Sequence, residues 1–168
     1  MKKFQARTTG SVFLAAALMF FVSTSAWAVE NNVPNFSLPA LSDETRIDFS
    51  EFNRQNPVLL IFWATWCPSC REEIPALNEI YRRLSPKGLR ILAVNVEETR
   101  KDILKFQKRH PMDYPVVMDQ RGDVTEKFGL VGVPAALLAA PGGKVLYFGF
   151  SLPENIESII ANKEKKKA

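Results

Sequence analysis

The chain has 168 residues, 46% hydrophobic and 24% charged, with eleven prolines, eight glycines and two cysteines. That composition excludes a disordered chain, which needs low hydrophobicity and high net charge, and a disulfide-stapled miniprotein, which needs more cysteines in fewer residues. The formal charge of +4 is unevenly spread: Met1 to Ala28 holds Lys2, Lys3 and Arg7 and no acid, and without them 19 basic residues face 18 acidic ones, a net of +1. Four of those 19 lie in the tail Asn162–Ala168, read as a solvated end, so no nucleic-acid partner is expected.

The N-terminus reads as an address. After the three basic residues comes an apolar run from Ser11 to Val22, then Ser23-Thr24-Ser25 and Ala26-Trp27-Ala28. A basic start, a short apolar stretch and a small-x-small end are the three parts of a secretory signal peptide, with cleavage expected after Ala28. Residues 1–28 are therefore set apart from a single domain over 29–168. The apolar run falls short of the ~20 residues of a bilayer span. Nothing from Thr8 to Val29 is charged, however, so retention as a membrane anchor is the alternative. The positive-inside tendency places the domain outside the cytoplasm in both cases, in the periplasm or at the extracytoplasmic face, where cysteines are readily oxidised. No cysteine lies near the cleavage site, which argues against a lipoprotein.

Along the remaining chain, Phe36–Leu38 and Arg46–Phe49 can pair as a hairpin across Ser42-Asp43-Glu44. Ser50 is placed to cap a short helical turn through Arg54. Val58–Trp63 is a continuous apolar run of strand length, as expected for a strand covered on both faces. From Pro68 the period changes to helical, with Ile74, Leu77, Tyr81 and Leu84 on one face and Pro86 and Gly88 at the end. Leu89–Val96 is a second buried strand. Thr99 with Asp102 signals a helix start, and Ile103, Leu104 and Phe106 give that helix its apolar side. Pro115–Met118 is a third strand, and a short helix spans Gly122 to Phe128, stopped by Gly129. Val133–Ala139, the turn Pro141-Gly142-Gly143 and Lys144–Phe148 form a strand–turn–strand unit. A closing helix runs from Pro153 to Asn162, with Pro153 in its first turn. Alternation of strands and helices predicts an α/β fold with a mixed, mostly parallel central sheet flanked by helices.

The chemistry resides in Trp66-Cys67-Pro68-Ser69-Cys70, where a buried strand gives way to a helix. Cys67 falls at the helix N-terminus and Pro68 at the first helical position. Unpaired N–H groups and the dipole's positive end favour a negative charge there, which lowers a thiol's pKa, and the thiolate is the attacking species. Cys70, three residues on, shares the helical face and is close enough to close a disulfide. The pair reads as a redox couple in which Cys67 attacks and Cys70 resolves the mixed disulfide. Three other readings compete. A structural disulfide over so short a loop would constrain little of the unfolded chain. Zinc needs about four ligands, and the chain offers two cysteines and His110. Covalent haem attachment needs His where Arg71 stands. No metal and no cofactor are expected, and no Gly-rich phosphate loop is present. His110, before Pro111 in a charged loop, is expected to be solvated.

Phe62-Trp-Ala-Thr-Trp-Cys-Pro-Ser-Cys-Arg-Glu-Glu-Ile-Pro75 resembles the active-site segment of the TlpA/ResA/CcmG (DsbE) group of thioredoxin-like proteins, and Val33–Leu38 resembles that group's lead-in. The likeness in element order runs from about Val33 to Asn162. It implies a thioredoxin fold with an N-terminal hairpin, a helix–strand insert from about Pro111 to Gly129, export, and reduction of disulfides. Pro134, in Gly132-Val133-Pro134-Ala135, matches the proline that is cis beside the CxxC pair and shapes the substrate groove, rather than a trans proline opening a strand. Glu73 matches a glutamate proposed as proton acceptor for the buried thiol; its spacing puts it on the Cys70 face, although it also reads as a solvated neighbour of Glu72. Trp66 matches the tryptophan that flanks the site. Trp66, Pro68, Val133 and Pro134 are the expected substrate-binding residues.

Two departures stand out. Where thioredoxin carries a buried Asp this chain has Ile61, so proton transfer falls to Glu73 or water. Where reducing thioredoxins carry Thr before the proline it has Val133, as in the oxidising DsbA branch. Pro75, inside the helix, is expected to kink it. The peroxiredoxin Pro-x-x-x-Thr-x-x-Cys pattern is broken by Leu60 and Ala64. The resemblance implies a monomeric disulfide reductase that takes electrons from a membrane thiol reductant of DsbD/CcdA type and passes them to a disulfide-containing client, with apocytochrome c as a candidate. The alternatives are a DsbA-like oxidase and a redox-switched binding module without turnover.

Overall fold

The computed structural model describes residues 32–164. The expected signal segment lies outside them. Among the described residues no helix is long and apolar enough to cross a membrane.

Strands β1 (Ser37–Pro39) and β2 (Arg46–Asp48) pair antiparallel as the expected hairpin. It is tied to the main sheet through the bridge from Ala40 to Val117 and the bond from Leu41 N to Val116 O, 2.8 Å. Helix α1 (Phe49–Phe52) follows directly, and its cap is Asp48 rather than Ser50: the Asp48 carboxylate accepts from Glu51 N at 3.2 Å. The strand ends one residue earlier than the apolar pattern suggested, so the cap moves with it, and the Ser50 hydroxyl donates to Asp48 Oδ1 instead, at 2.6 Å.

The central sheet has the order β5-β4-β3-β6-β7, built from β3 (Val58–Trp63), β4 (Arg90–Val96), β5 (Val116–Asp119), β6 (Ala135–Ala139) and β7 (Val145–Gly149). Helix α2 (Pro68–Leu84) joins β3 to β4, and α3 (Arg100–Gln107) joins β4 to β5, so these three strands run parallel. Thr99 caps α3 as expected, its side chain accepting from Asp102 N. A 3-10 turn over Ser85–Lys87 ends at Gly88, whose φ of 96° is left-handed and suits glycine.

The sheet is mixed and mostly parallel in strand direction, as expected: β6 alone is reversed, pairing antiparallel with β3 and with β7. Helix α4 (Asp123–Lys127) lies in the connection between β5 and β6, which leaves the chain at the end of the sheet where β5 stops, so β6 starts there and runs back. Residues 111–129 fold as strand then helix, the order read from the residues themselves and the reverse of the insert that the resemblance implied.

Helix α5 (Ile156–Glu164) begins three residues after Pro153, which precedes the helix instead of sitting in its first turn; a turn at 154–155 intervenes. His110 is not fully solvated: it is half-buried and stacks on Phe106 with ring centroids 4.4 Å apart, because one further turn after α3 places it directly above that ring.

Strand residues alternate between two cores. Leu59, Ile61 and Trp63 face a cluster with Cys67, Cys70, Ile74, Leu77, Ile91 and Ile103. Val58, Leu60 and Phe62 face a second cluster with Phe36, Phe49, Val94, Phe128 and Leu137. Both faces of β3 are covered, as its unbroken apolar run required.

Candidate active site

The site forms where β3, α2 and β6 meet. Cys67 is the N-cap of α2 with extended backbone (φ −82°, ψ 114°), and Pro68 opens the helix. Cys70 N donates to Cys67 Sγ at 3.1 Å, so an otherwise orphaned helix N–H is directed at this sulfur. The two cysteines are joined in a disulfide with Cα atoms 5.3 Å apart. Both are buried, each 3% exposed, while Pro68 and Ser69 between them are exposed. Trp66 stands beside the pair with 65% of its surface exposed, too much for a core tryptophan.

Because β6 starts at this end of the sheet, its lead-in lies against the cysteines. Val133 O is 3.6 Å from Cys67 Sγ, the Val133–Pro134 bond is cis, and Val131 next to it is 96% exposed. The structure thus brings Trp66, Pro68, Val133 and Pro134 to one surface around Cys67.

Behind the disulfide is a small cavity whose wall includes Ile61, Trp63, Cys70, Glu73, Met112 and Tyr114. Glu73 is partly buried in this wall and unlike its exposed neighbour Glu72. Burial raises its carboxyl above the ordinary carboxylate value, opposed by a hydrogen bond from the Leu152 backbone. Ile61, at the position of thioredoxin's aspartate, lines the same cavity. The acid enters it from the helix instead of from the strand.

Sequence reasoning missed Glu98. Its carboxylate accepts from Thr65 N at 2.6 Å, from the Thr65 hydroxyl, and from Asn95 Nδ2 at 2.7 Å, which pins the loop between β3 and Cys67. The available signal was Asn95, a polar residue in an apolar strand that needs a buried partner. Pro75 lies inside α2 and is exposed.

Residues 29–148 match the model of the AhpC/TSA family. The chain belongs to that family. Within it the chain is 36% identical over 145 residues to the thiol-disulfide oxidoreductase ResA of Geobacillus thermodenitrificans, covering 83% of this chain and 82% of that protein. It is 30% identical over 127 residues to ResA of Bacillus thuringiensis, covering 76% and 72%. Among solved structures it resembles a thiol:disulfide interchange protein DsbE from Chlorobium tepidum with a TM-score of 0.67 and 27% identity, covering 82% of this chain and 94% of that one. This AhpC/TSA member has the thioredoxin-like fold and is a thiol–disulfide oxidoreductase of the ResA/DsbE kind, with its CxxC pair closed as a disulfide.

Proposed function

We propose that the protein is an exported disulfide reductase in which Cys67 is the nucleophile, Cys70 the resolving thiol and Glu73 its proton acceptor. The observation that carries this reading is the placement of Cys67 Sγ at the N-cap of a 17-residue helix, accepting from Cys70 N and 3.6 Å from Val133 O. The amide and helix N-terminus stabilise a thiolate on Cys67, and nothing equivalent acts on Cys70, which faces the cavity with Glu73. Trp66, Pro68, Val133 and Pro134 form the docking surface for an extended segment of the client, which lies along the backbone beside Pro134. The reduced couple is regenerated by a membrane thiol reductant of DsbD/CcdA type, and apocytochrome c is a client with the required CxxC disulfide. Export follows from the N-terminal signal pattern of residues 1–28.

The reduction potential, obtained by equilibration with glutathione or dithiothreitol and thiol trapping, tests the direction. A value below about −230 mV supports the reductant, and a value near about −120 mV makes the protein an oxidant. Val133 favours the oxidant reading, and Val133→Thr tests it directly: the couple becomes more reducing if this position tunes it, and an unmoved potential rejects that role.

A further inference from the structure

Helix α3 has a face that neither the core nor the redox site uses. Ile103 and Phe106 turn inward, while Lys101, Lys105, Lys108 and Arg109 are exposed along the helix and the turn that continues it. At 3.6 residues per turn these four fall within an arc of about 100°, opposite Ile103 and Phe106. They extend over about 12 Å of helix, comparable with a Debye length of ~8–10 Å, so their fields add. None of the four has an ion-pair partner among the described residues. The acid in the stretch, Asp102, is taken up by the helix start, where it accepts from the Thr99 hydroxyl at 2.6 Å. Arg100 turns the other way, toward Glu44 at 3.4 Å and the carbonyls of Leu41 and Ser42.

This concentration runs against the rest of the domain. Outside α3 and the lysine tail, acids outnumber bases. Elsewhere the surface mixes signs: Arg83 and Lys87 share Glu157, and Arg82 meets Asp113. Charge kept only for solubility is interspersed in that way. A single-sign face selects an anionic partner instead.

We infer that the outer face of α3 docks the domain on a membrane surface of anionic phospholipid. Three of the four cations are lysines, compact hydrated charges on flexible stems that suit a diffuse layer of headgroups. A protein partner would call for aromatic anchors, and the exposed large apolar residues Trp66, Val131, Phe148 and Phe150 all lie off this helix. The choice of a membrane also rests on the reading of residues 1–28 as an export address that leaves the domain beside a bilayer.

Docking on this face leaves the redox site open. Helix α3 starts beyond the end of β4, at the end of the sheet that holds the disulfide, and runs back along the strands. Its outer face is therefore a flank of the domain. The surface of Trp66, Pro68, Val133 and Pro134 stays at the end, free for a client.

The test is partition of the full chain onto vesicles, measured by flotation, with phosphatidylglycerol–phosphatidylcholine mixtures and with phosphatidylcholine alone. The ratio of the two partition constants isolates the part that depends on charge. Two variants remove the same charge: Lys101→Gln/Lys105→Gln/Lys108→Gln on α3, and Lys165→Gln/Lys166→Gln/Lys167→Gln in the tail. Residues 1–28, with Lys2, Lys3 and Arg7, are common to every variant and cancel from the comparison. A cation at an anionic surface carries roughly fivefold in partition, so the α3 variant is expected to lower the ratio about a hundredfold and the tail variant by less than about twofold. Salt at about 1 M, where the Debye length is ~3 Å, is expected to bring the unsubstituted ratio down to that of the α3 variant. Equal losses in the two variants overturn the proposal, since net charge and not this face would then set the binding. A ratio unmoved by the α3 substitutions overturns it as well. If those substitutions then abolish salt-dependent retention on immobilised polyglutamate, the face is assigned to an acidic polypeptide instead. Insulin reduction in solution, expected to be unchanged in the α3 variant, reports that the fold is intact. Should it fall, Lys105→Gln alone carries the test, with an expected loss of about fivefold. Failure in this assay leaves the export reading standing, because the ratio does not depend on where the cell sends the protein.

Discussion

The two faces of the central sheet are built from the same strands yet differ in kind. On one, Phe36, Phe49, Phe62 and Phe128 interlock with ring centroids 5.0–5.8 Å apart. On the other, Trp63 and Tyr114 carry buried polar atoms without partners among the described residues, as does Asn95 at its Oδ1, which shares the strand parity of Ile91 and Ala93. That second face also holds the disulfide and the cavity. The difference teaches where chemistry can be placed. Close packing gives stability on the aromatic face, while proton transfer needs polar groups and a little room, both of which cost packing.

Substitutions can break or sharpen this contrast. The largest effect is expected from Cys67→Ser, which reduces insulin-disulfide reduction to background while a urea melt still reports a folded protein; retained turnover would move the chemistry elsewhere. Phe62→Ala, on the aromatic face, is expected to cost about 3–5 kcal/mol in denaturant unfolding and leave the reduction potential in place. A shifted potential would show that the two faces are coupled. Asp119 is buried beside α4 and accepts from Val124 N at 3.2 Å and from Thr125 N and Oγ1 at 2.7 Å each. Asp119→Ala should therefore cost about 1–2 kcal/mol, less than Phe62→Ala, with exchange rates unaltered.

The smallest expected effect concerns pH. Glu73 has its folded-state pKa raised above the ordinary carboxylate value by burial. The stability linked to this group is thus fully present below the unfolded-state value and is lost as pH rises through the folded one. Urea midpoints across that window should fall with rising pH in the unsubstituted protein and lie flatter in Glu73→Gln. Parallel curves would mean that the carboxyl is solvated and the cavity face is less distinct than its lining suggests.

Much of this was legible because it is local. The unbroken apolar run Val58–Trp63 announced a strand covered twice, and Pro68 after Cys67 announced a helix with a cysteine at its cap. Local misreadings were small and have local causes, as where Asp48 took the cap expected of Ser50. The place of β6 beside β3 was not legible, because it depends on where the chain after β5 re-enters the sheet, which no window of sequence reports.

By itself, then, the sequence determined the α/β class, the redox pair and its place at a helix start, since periodicity, capping and CxxC spacing act over a few residues. Only the tertiary structure decided which distant groups meet that pair. Val133 reaches Cys67 because β6 runs antiparallel to β3, Glu98 reaches Thr65 across 33 residues of chain, and Trp63 and Tyr114 share a wall with Glu73. Such meetings are set by the packing of whole elements, and packing is a property of the assembled sheet rather than of any one segment.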